Sequence, residues 1–124
     1  MKSRKLYFME CHVAGRQYHE ADEVWEDLHV GTPLLLVRDT DNKYDPEAVA
    51  IVYRKTYGAE DEHDDYVLGY IPRDENTPIA ALLDMGWSCI FECRLSRIDP
   101  QAHYENQLRV SIKIKENAGL SSNV

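Results

Sequence analysis

The sequence predicts a mainly β protein, a small antiparallel β-barrel of about six strands with one or two short helices. Three observations lead to this fold class. Short apolar segments rich in β-branched residues are separated by polar turns, as in antiparallel sheets. The last segment, residues 107–115, alternates apolar and polar side chains, which is typical of a strand with one buried face. One segment alone carries clear signals for both ends of a helix.

The predicted strands follow one another along most of the chain. The first is mostly apolar and ends at a turn, residues 15–19, and the second and third flank a polar turn at residues 39–42. This turn predicts that the second and third strands pair in antiparallel fashion. In chain order the strands are predicted at residues 5–13, 33–38, 48–53, 66–71, 87–98 and 107–115.

The clearest helix is predicted at residues 78–85. Thr77 is suited to cap it, Pro78 fits its first position, and Gly86 is placed to end it. Three apolar residues at helical spacing are expected to pack the helix across one opening of the barrel, namely Ile79, Leu82 and Leu83. Residues 21–28 are predicted to form one or two further helical turns.

Length and composition indicate a single globular domain. With 124 residues and 44% hydrophobic residues, the chain is expected to fold over residues 1–116, followed by a disordered polar tail at residues 117–124. No apolar run has the length of a membrane span or a signal peptide, so a cytoplasmic protein without membrane association is expected. Three cysteines, an odd number, favour reduced thiols.

The charge balance limits which nucleic acids could be partners. A formal net charge of −8 argues against binding of long polyanions, which usually requires a basic surface. Five of the acids, however, fall within residues 60–65, and several cations could converge on one face. A small site that reads one or two nucleotides is compatible with this balance. The cations concerned are Arg16, Arg38, Lys43, Arg54 and Arg73.

Two short motifs carry groups suited to holding a nucleic-acid end. NKYDPEAV at residues 42–49 supplies an amide, an aromatic face and a carboxylate within four positions, and GYIPR at residues 69–73 adds an arginine. A turn with a purely structural role would more simply use Asn-Gly or Asp-Gly. The motifs therefore indicate a binding site next to two apolar strands.

Together with Gly15-x-x-Tyr18 and VGTPLLLVR at residues 30–38, these motifs resemble the HIRAN domain, from about residue 6 to residue 114. That module is best known at the N-terminus of SNF2-type DNA remodellers such as helicase-like transcription factor, and it also occurs alone in bacteria. The resemblance implies an OB-like barrel that binds the 3′-hydroxyl end of single-stranded DNA through an aspartate at the position of Asp45. It implies no catalysis and no cofactor.

The resemblance assigns roles to a set of residues. Tyr18 and Tyr44 would stack on the terminal bases, although the burial tendencies of tyrosine also allow half-buried residues at the barrel rim. Asp45 would accept a hydrogen bond from the 3′-hydroxyl, whereas the residue pattern alone equally allows a turn residue that bonds its own backbone. The predicted nucleic-acid-binding residues are Gln17, Tyr18, Asn42, Lys43, Tyr44, Asp45, Tyr70 and Arg73.

The supporting residues are expected to contribute charge and hydrogen bonds. Asn42 suits a base edge, and Arg73 suits a phosphate. Lys43 is a further phosphate candidate or a solvated turn lysine, since it stands where the family often has proline. Tyr70 would extend the stacking platform or pack on the barrel. Gln17 stands where DNA-binding relatives have arginine, which removes one cation.

Other function classes are less well supported by the sequence. An acidic adaptor that contacts a protein partner without binding nucleic acid is the main alternative. A nuclease-like magnesium centre around Asp45 lacks a second carboxylate outside the solvated loop at residues 60–65. Cys89 and Cys93 do not have zinc-site spacing, and neither a P-loop nor an H-E-x-x-H motif occurs. The sequence thus predicts a binding module without enzymatic activity, metal or cofactor.

Overall fold

The computed structural model describes residues 4–58 and 61–116, so the predicted tail at residues 117–124 lies outside the described residues. The fold is mainly β, as predicted, and contains six antiparallel strands. The strands are β1 (Lys5–His12), β2 (Pro33–Arg38), β3 (Val49–Thr56), β4 (His63–Tyr70), β5 (Phe91–Ile98) and β6 (Leu108–Lys115). The helices are α1 (Thr77–Asp84), α2 (Tyr104–Gln107) and the 3₁₀ helices Arg16–Tyr18, Ala21–Asp27 and Ser88–Ile90. No helix in these ranges is long and apolar enough to cross a membrane.

The strands form one open sheet with the order β1-β6-β5-β2-β3-β4. The pairing of β2 with β3, predicted from their polar turn, is confirmed. The junction between β2 and β5 is narrow, with Pro33 opposite Arg94 and Leu34 opposite Cys93. Because β1 and β4 stand at opposite ends of the order and do not pair as strands in the described part, the prediction of a barrel, expected to be partly open, is not confirmed.

The two ends of the sheet nevertheless meet at one point. Ala14, just after β1, exchanges two backbone hydrogen bonds with Tyr70 at the end of β4, at 2.8 and 2.9 Å. Gly69 permits this approach, since a Cβ atom there would lie 2.5 Å from both the Ala14 carbonyl oxygen and a methyl group of Val13. Further along, Glu20 bonds the backbone of Val67 through its own N–H, at 2.8 Å, and its carboxylate, at 2.9 Å. The segment after β1 therefore covers the outer edge of β4.

The core follows from the alternation seen in the sequence. In β6, Leu108, Val110 and Ile112 are fully buried, while the residues between them face outward. Burial raises the pKa of the Cys11 thiol to about 12 and also raises that of Cys93, so both thiols stay protonated at neutral pH. All three cysteines are unpaired, in agreement with the expected reduced thiols.

Helix α1 ends as predicted but begins differently. Gly86, with φ of 90°, donates to the Leu83 carbonyl, and Trp87 donates to that of Leu82, which together form a Schellman motif. Thr77 was expected as the cap but is the first helical residue, and its hydroxyl donates to Glu47 at 3.0 Å. The cap position belongs to Asn76, whose side chain is used elsewhere.

The buried residues of α1 also differ in part from the three apolar residues that were predicted to pack against the core. Ile79 is fully buried and Leu83 packs partly against the core, as expected. Leu82 is only partly buried, and Ala80 is buried instead. The buried side of the helix is therefore formed by Ile79, Ala80 and Leu83 and is rotated away from Leu82.

We expect Gly69→Ala to destabilise the protein, because its Cβ would overlap backbone and side-chain atoms that pack at 2.5 Å. Overpacking of this kind costs about 1–3 kcal/mol. The free energy of unfolding in urea measures the effect. Gly58→Ala is the matched control, since no neighbouring heavy atom lies within 4 Å of a Cβ there. Equal stability of the two variants would show that β4 does not need this close approach.

Candidate nucleic-acid interface

The loop between β2 and β3, residues 39–48, is shaped by its own polar side chains. The side-chain oxygen of Asn42 accepts the backbone N–H groups of Tyr44, at 2.9 Å, and Asp45, at 3.0 Å. The carboxylate of Asp45 then accepts the N–H of Glu47 at 2.9 Å. Such side-chain to backbone bonds fix tight turns. They leave the ring of Tyr44 87% exposed at the tip of the loop.

Tyr70 links this loop to the end of β4. Its hydroxyl donates to Asp39 at 2.7 Å, and the same carboxylate oxygen accepts a longer bond, 3.4 Å, from the amide of Asn42. Burial, followed by the bond to Asp39, raises the pKa of Tyr70 to about 12, so the hydroxyl remains a donor at neutral pH. Of the two roles left open by the sequence, Tyr70 therefore packs and bonds within the protein.

Tyr18 is brought to the same region through its neighbour. It closes the 3₁₀ helix Arg16–Tyr18, which begins after Gly15 in a left-handed conformation with φ of 71°. The ring of His19 lies 5.2 Å from that of Tyr70, and burial lowers the pKa of His19 below its ordinary value. The ring of Tyr18 is 78% exposed. Tyr18 and Tyr44 therefore both project into solvent, not half-buried at a rim, from segments joined through Tyr70.

Asp45 is held by a residue that the sequence did not single out. The amide of Asn76 donates to the second carboxylate oxygen of Asp45 at 2.8 Å, and Asn76 is 1% exposed. Its side-chain oxygen is buried without a hydrogen-bond partner among the described residues. The available signal in the sequence is an asparagine directly before Thr77 and Pro78. The turn role that the pattern allowed for Asp45 is thus present in the structure.

The position of Arg73 follows from hydrogen bonds at both ends of the segment that contains it. Tyr70 bonds Asp39 and Asn76 bonds Asp45, so the segment between residues 70 and 76 runs alongside the β2–β3 loop. Arg73 lies in the middle of this segment and is exposed. Hydrogen bonds and one ring contact therefore connect the three parts of the chain that carry the predicted residues. Gln17 and Lys43 are also exposed.

Arg38 does not serve as a free cation. Its guanidinium donates to the backbone carbonyls of Ala48, at 2.7 Å, and Pro46, at 2.9 Å, and to the carboxylate of Asp84 at 2.8 Å. The side chain thereby fastens the end of the β2–β3 loop to helix α1. Its role in this structure is to support the loop.

Arg16 and Arg54 are also committed to other groups. Arg16 is buried, bonds Asp22 at 2.6 Å and lies over the ring of Trp25 at 4.7 Å. Arg54 forms two bonds to Asp65, at 2.8 and 2.9 Å, and holds the pKa of that carboxyl below its ordinary value. Of the five cations named from the sequence, Arg16, Arg38 and Arg54 are therefore engaged in bonds within the protein. Lys43 and Arg73 form no ion pair with the described residues.

The described residues do not gather a metal-binding cluster. Across residues 4–58 and 61–116, no group of three or more His, Cys, Asp or Glu side chains is arranged to hold a metal ion. The two carboxylates at the site, Asp39 and Asp45, are instead occupied by tyrosine and amide donors. The chemistry available here is hydrogen bonding, stacking and charge.

Comparison with known proteins gives three findings. The family model of the HIRAN domain matches residues 6–115. The Fanconi-associated nuclease 1 homolog of Oryza sativa subsp. japonica is 38% identical over 72 residues, which make up 58% of this chain and 6% of that relative. The chain thus spans a small fraction of the relative's length. A crystal structure of a protein from Lactobacillus plantarum is similar in fold, with a TM-score of 0.70 and 24% identity, covering 94% of this chain and 100% of that chain.

We expect Tyr70→Phe to lower the free energy of unfolding at pH 7 by about 1.5–3 kcal/mol, because a hydrogen bond to a charged group is lost. The pKa of Tyr70 rises from 10.0 to about 12 in the folded state. The stabilisation is therefore complete below pH 10 and is lost as the pH rises toward 12. Urea titrations at several pH values should show the difference from the native protein shrinking across this window. Tyr44→Phe is the control, and an equal effect of both variants would contradict the assignment.

Proposed function

The chain belongs to the HIRAN domain family, whose modules bind DNA, and we propose that it recognises the 3′-hydroxyl end of single-stranded DNA without catalysing a reaction. One observation carries the proposal. Two exposed tyrosines, Tyr18 at 78% and Tyr44 at 87%, project from segments that Tyr70 joins through its bonds to Ala14 and Asp39. Exposed aromatic rings of this kind are suited to stacking on bases.

Stacking would supply affinity without reading sequence. Every base has a flat π-face, and each base stacked on an aromatic ring contributes about 1–3 kcal/mol. Tyr44 stands at the tip of a loop fixed by Asn42, so little conformational freedom is lost when a base binds. Tyr18 and Tyr44 would hold the last bases of the strand between them.

Asp45 would supply the preference for a hydroxyl end. A carboxylate repels phosphate but forms a short, strong bond with a hydroxyl donor. Two of its acceptor positions are occupied, by the Glu47 N–H and the Asn76 amide. An ionised carboxylate has about four such positions, so it can accept a further hydrogen bond. The turn role and the binding role of Asp45 are compatible, and Asn76 positions the carboxylate for both.

The remaining residues would hold the backbone and a base edge. Arg73 and Lys43 are exposed and form no ion pair in the described part of the chain, so they are available to phosphates. Asn42 uses its oxygen to shape the loop, and its amide, with only a long bond to Asp39, keeps a hydrogen for a base edge. Gln17, beside Tyr18, would add a neutral hydrogen-bonding group.

An acidic protein-interaction adaptor is the competing function. It is favoured by the net charge of −8 and by the occupation of both Asp45 oxygens within the protein. The two functions differ in their response to salt. Binding to DNA must weaken as salt rises in proportion to the phosphates contacted. If a labelled oligonucleotide does not bind at low salt, the adaptor is the better supported function.

We expect Asp45→Asn to cost affinity only for oligonucleotides with a free 3′-hydroxyl, by about 1.5–3 kcal/mol. The substitution keeps an oxygen for the Glu47 N–H, and the unpaired oxygen of Asn76 can accept the new amide after a flip of that side chain. A 3′-phosphate should weaken binding to the native protein and weaken binding to the variant much less. Fluorescence anisotropy with short labelled oligonucleotides measures both.

Asp41→Asn is the matched control, since it removes the same charge from an exposed position of the same loop. It should leave the preference for the hydroxyl end unchanged. Equal binding of hydroxyl and phosphate ends by the native protein would remove the role assigned to Asp45.

Arg73→Ala should weaken binding to every type of end, because phosphate contacts do not depend on the terminal group. The slope of log K against log salt should become shallower by about 0.7–1 unit. Arg54→Ala removes the same charge from a residue already paired with Asp65 and should change neither quantity. A similar loss of affinity in Arg73→Ala and Arg54→Ala would indicate a general effect of net charge.

A further inference from the structure

The outer face of the β1-β6-β5 half of the sheet concentrates positive charge. Strand register places Lys115 opposite Lys5, Lys113 between Tyr7 and Glu92, and Arg109 between His12 and Arg97. Side chains at paired positions point to the same side of a sheet. We define the basic face by its six cations, which are Lys5, Arg94, Arg97, Arg109, Lys113 and Lys115.

The charge of this face is opposite to that of the whole chain. It holds six of the 14 Lys and Arg residues, and three of the 22 Asp and Glu residues contact them, namely Glu10, Glu92 and Asp99. In a chain with a net charge of −8, such segregation creates a local positive potential that the net charge hides.

Several of these cations are available to a ligand. Lys113 and Lys115 form no ion pair with the described residues. Lys5 pairs with Glu92 and Arg109 pairs with Glu10, each at 3.0 Å. These pairs lie at the surface, where they contribute little to stability and can be exchanged for a phosphate. The face thus offers cations without a large loss of internal bonds.

An exposed aromatic ring lies within the basic face. Tyr7 is 62% exposed and directly opposite Lys113. Between β6 and its neighbour β5, on the same face of the sheet, a cavity of about 190 Å³ is lined in part by Arg94, Ser111 and Lys113. Cations interleaved with an aromatic ring suit a polymer that has both phosphates and bases. An acidic polypeptide would use the cations but has no bases to stack on Tyr7.

The basic face is connected along the chain to the candidate end-binding region. The end of the face that contains His12 and Arg109 adjoins the segment after β1. This segment passes through Ala14 to Tyr18. From Arg109 to Lys115 the strand rises about 20 Å at 3.3 Å per residue. This length is enough to contact several consecutive phosphates of a single strand.

We propose that the basic face is a second nucleic-acid contact, which binds the phosphate backbone of the strand leading away from the 3′ end. The proposal rests on the proposed function in that the chain binds nucleic acid, but it does not depend on the role of Asp45. A short oligonucleotide occupies only the end site, whereas a longer strand also crosses the face.

The test compares a trinucleotide and a 20-nucleotide single strand, both labelled and with a free 3′-hydroxyl. Lys113→Gln with Lys115→Gln should leave the trinucleotide affinity unchanged and weaken the longer strand roughly 10- to 25-fold at 0.1 M salt. The salt slope for the longer strand should fall by about 1.4, the value for two phosphates of a single strand. Tyr7→Ala should weaken the longer strand without changing its salt slope.

Arg54→Gln with Lys55→Gln is the matched control, because it lowers the net charge equally at positions paired with Asp65 and Asp27. An equal loss in this control, or an equal loss for both oligonucleotides in the face variant, would overturn the proposal. Competition by polyglutamate as effective as that by DNA would assign the face to an acidic polypeptide instead. If Asp45→Asn leaves end preference unchanged while the face variant still weakens the longer strand, end recognition fails and the basic face stands.

Discussion

The arrangement of the molecule depends on how the end of β4 is held. Tyr70 pairs through its backbone with Ala14, bonds Asp39 through its hydroxyl, and packs its ring against His19. The close approach of Ala14 is possible because Gly69 has no side chain. One residue thereby joins the segment after β1, the β2–β3 loop and the turn after β4. Together with the two bonds between Glu20 and Val67, these bonds connect the two edges of the open sheet.

The same polar groups shape the loop and form the candidate site. Asn42 and Asp45 bond backbone N–H groups, as turn residues commonly do, and in doing so they hold Tyr44 in solvent and Asp45 beside Asn76. A structural role is often treated as an alternative to a functional one. Here the carboxylate retains acceptor capacity after its internal bonds are made, so the rigid turn is what would present it to a ligand.

Electrostatics in this chain is a matter of placement more than of net charge. Most cations near the motifs are engaged in internal contacts. Arg16 lies over the ring of Trp25, and Arg38 donates to carbonyl groups of the β2–β3 loop. The basic face lies instead on the half of the sheet that the motifs do not include. A polyanion approaching this protein would meet local fields of both signs, and the salt dependence of binding reports which of them it contacts.

The sequence by itself determined the strands, the end of helix α1 and the family, because alternation, turn residues and short motifs are local properties. It also singled out Tyr18 and Tyr44, whereas their exposure was shown only by the structure. Only the tertiary structure decided that the sheet stays open, that Asn76 holds Asp45, and that Arg38 is internal. Each of these depends on contacts between distant parts of the chain, such as the 31 residues that separate Asn76 from Asp45. A local pattern gives the side chains that are available, but the partner of a polar group is set by which strands pair and how closely their ends approach.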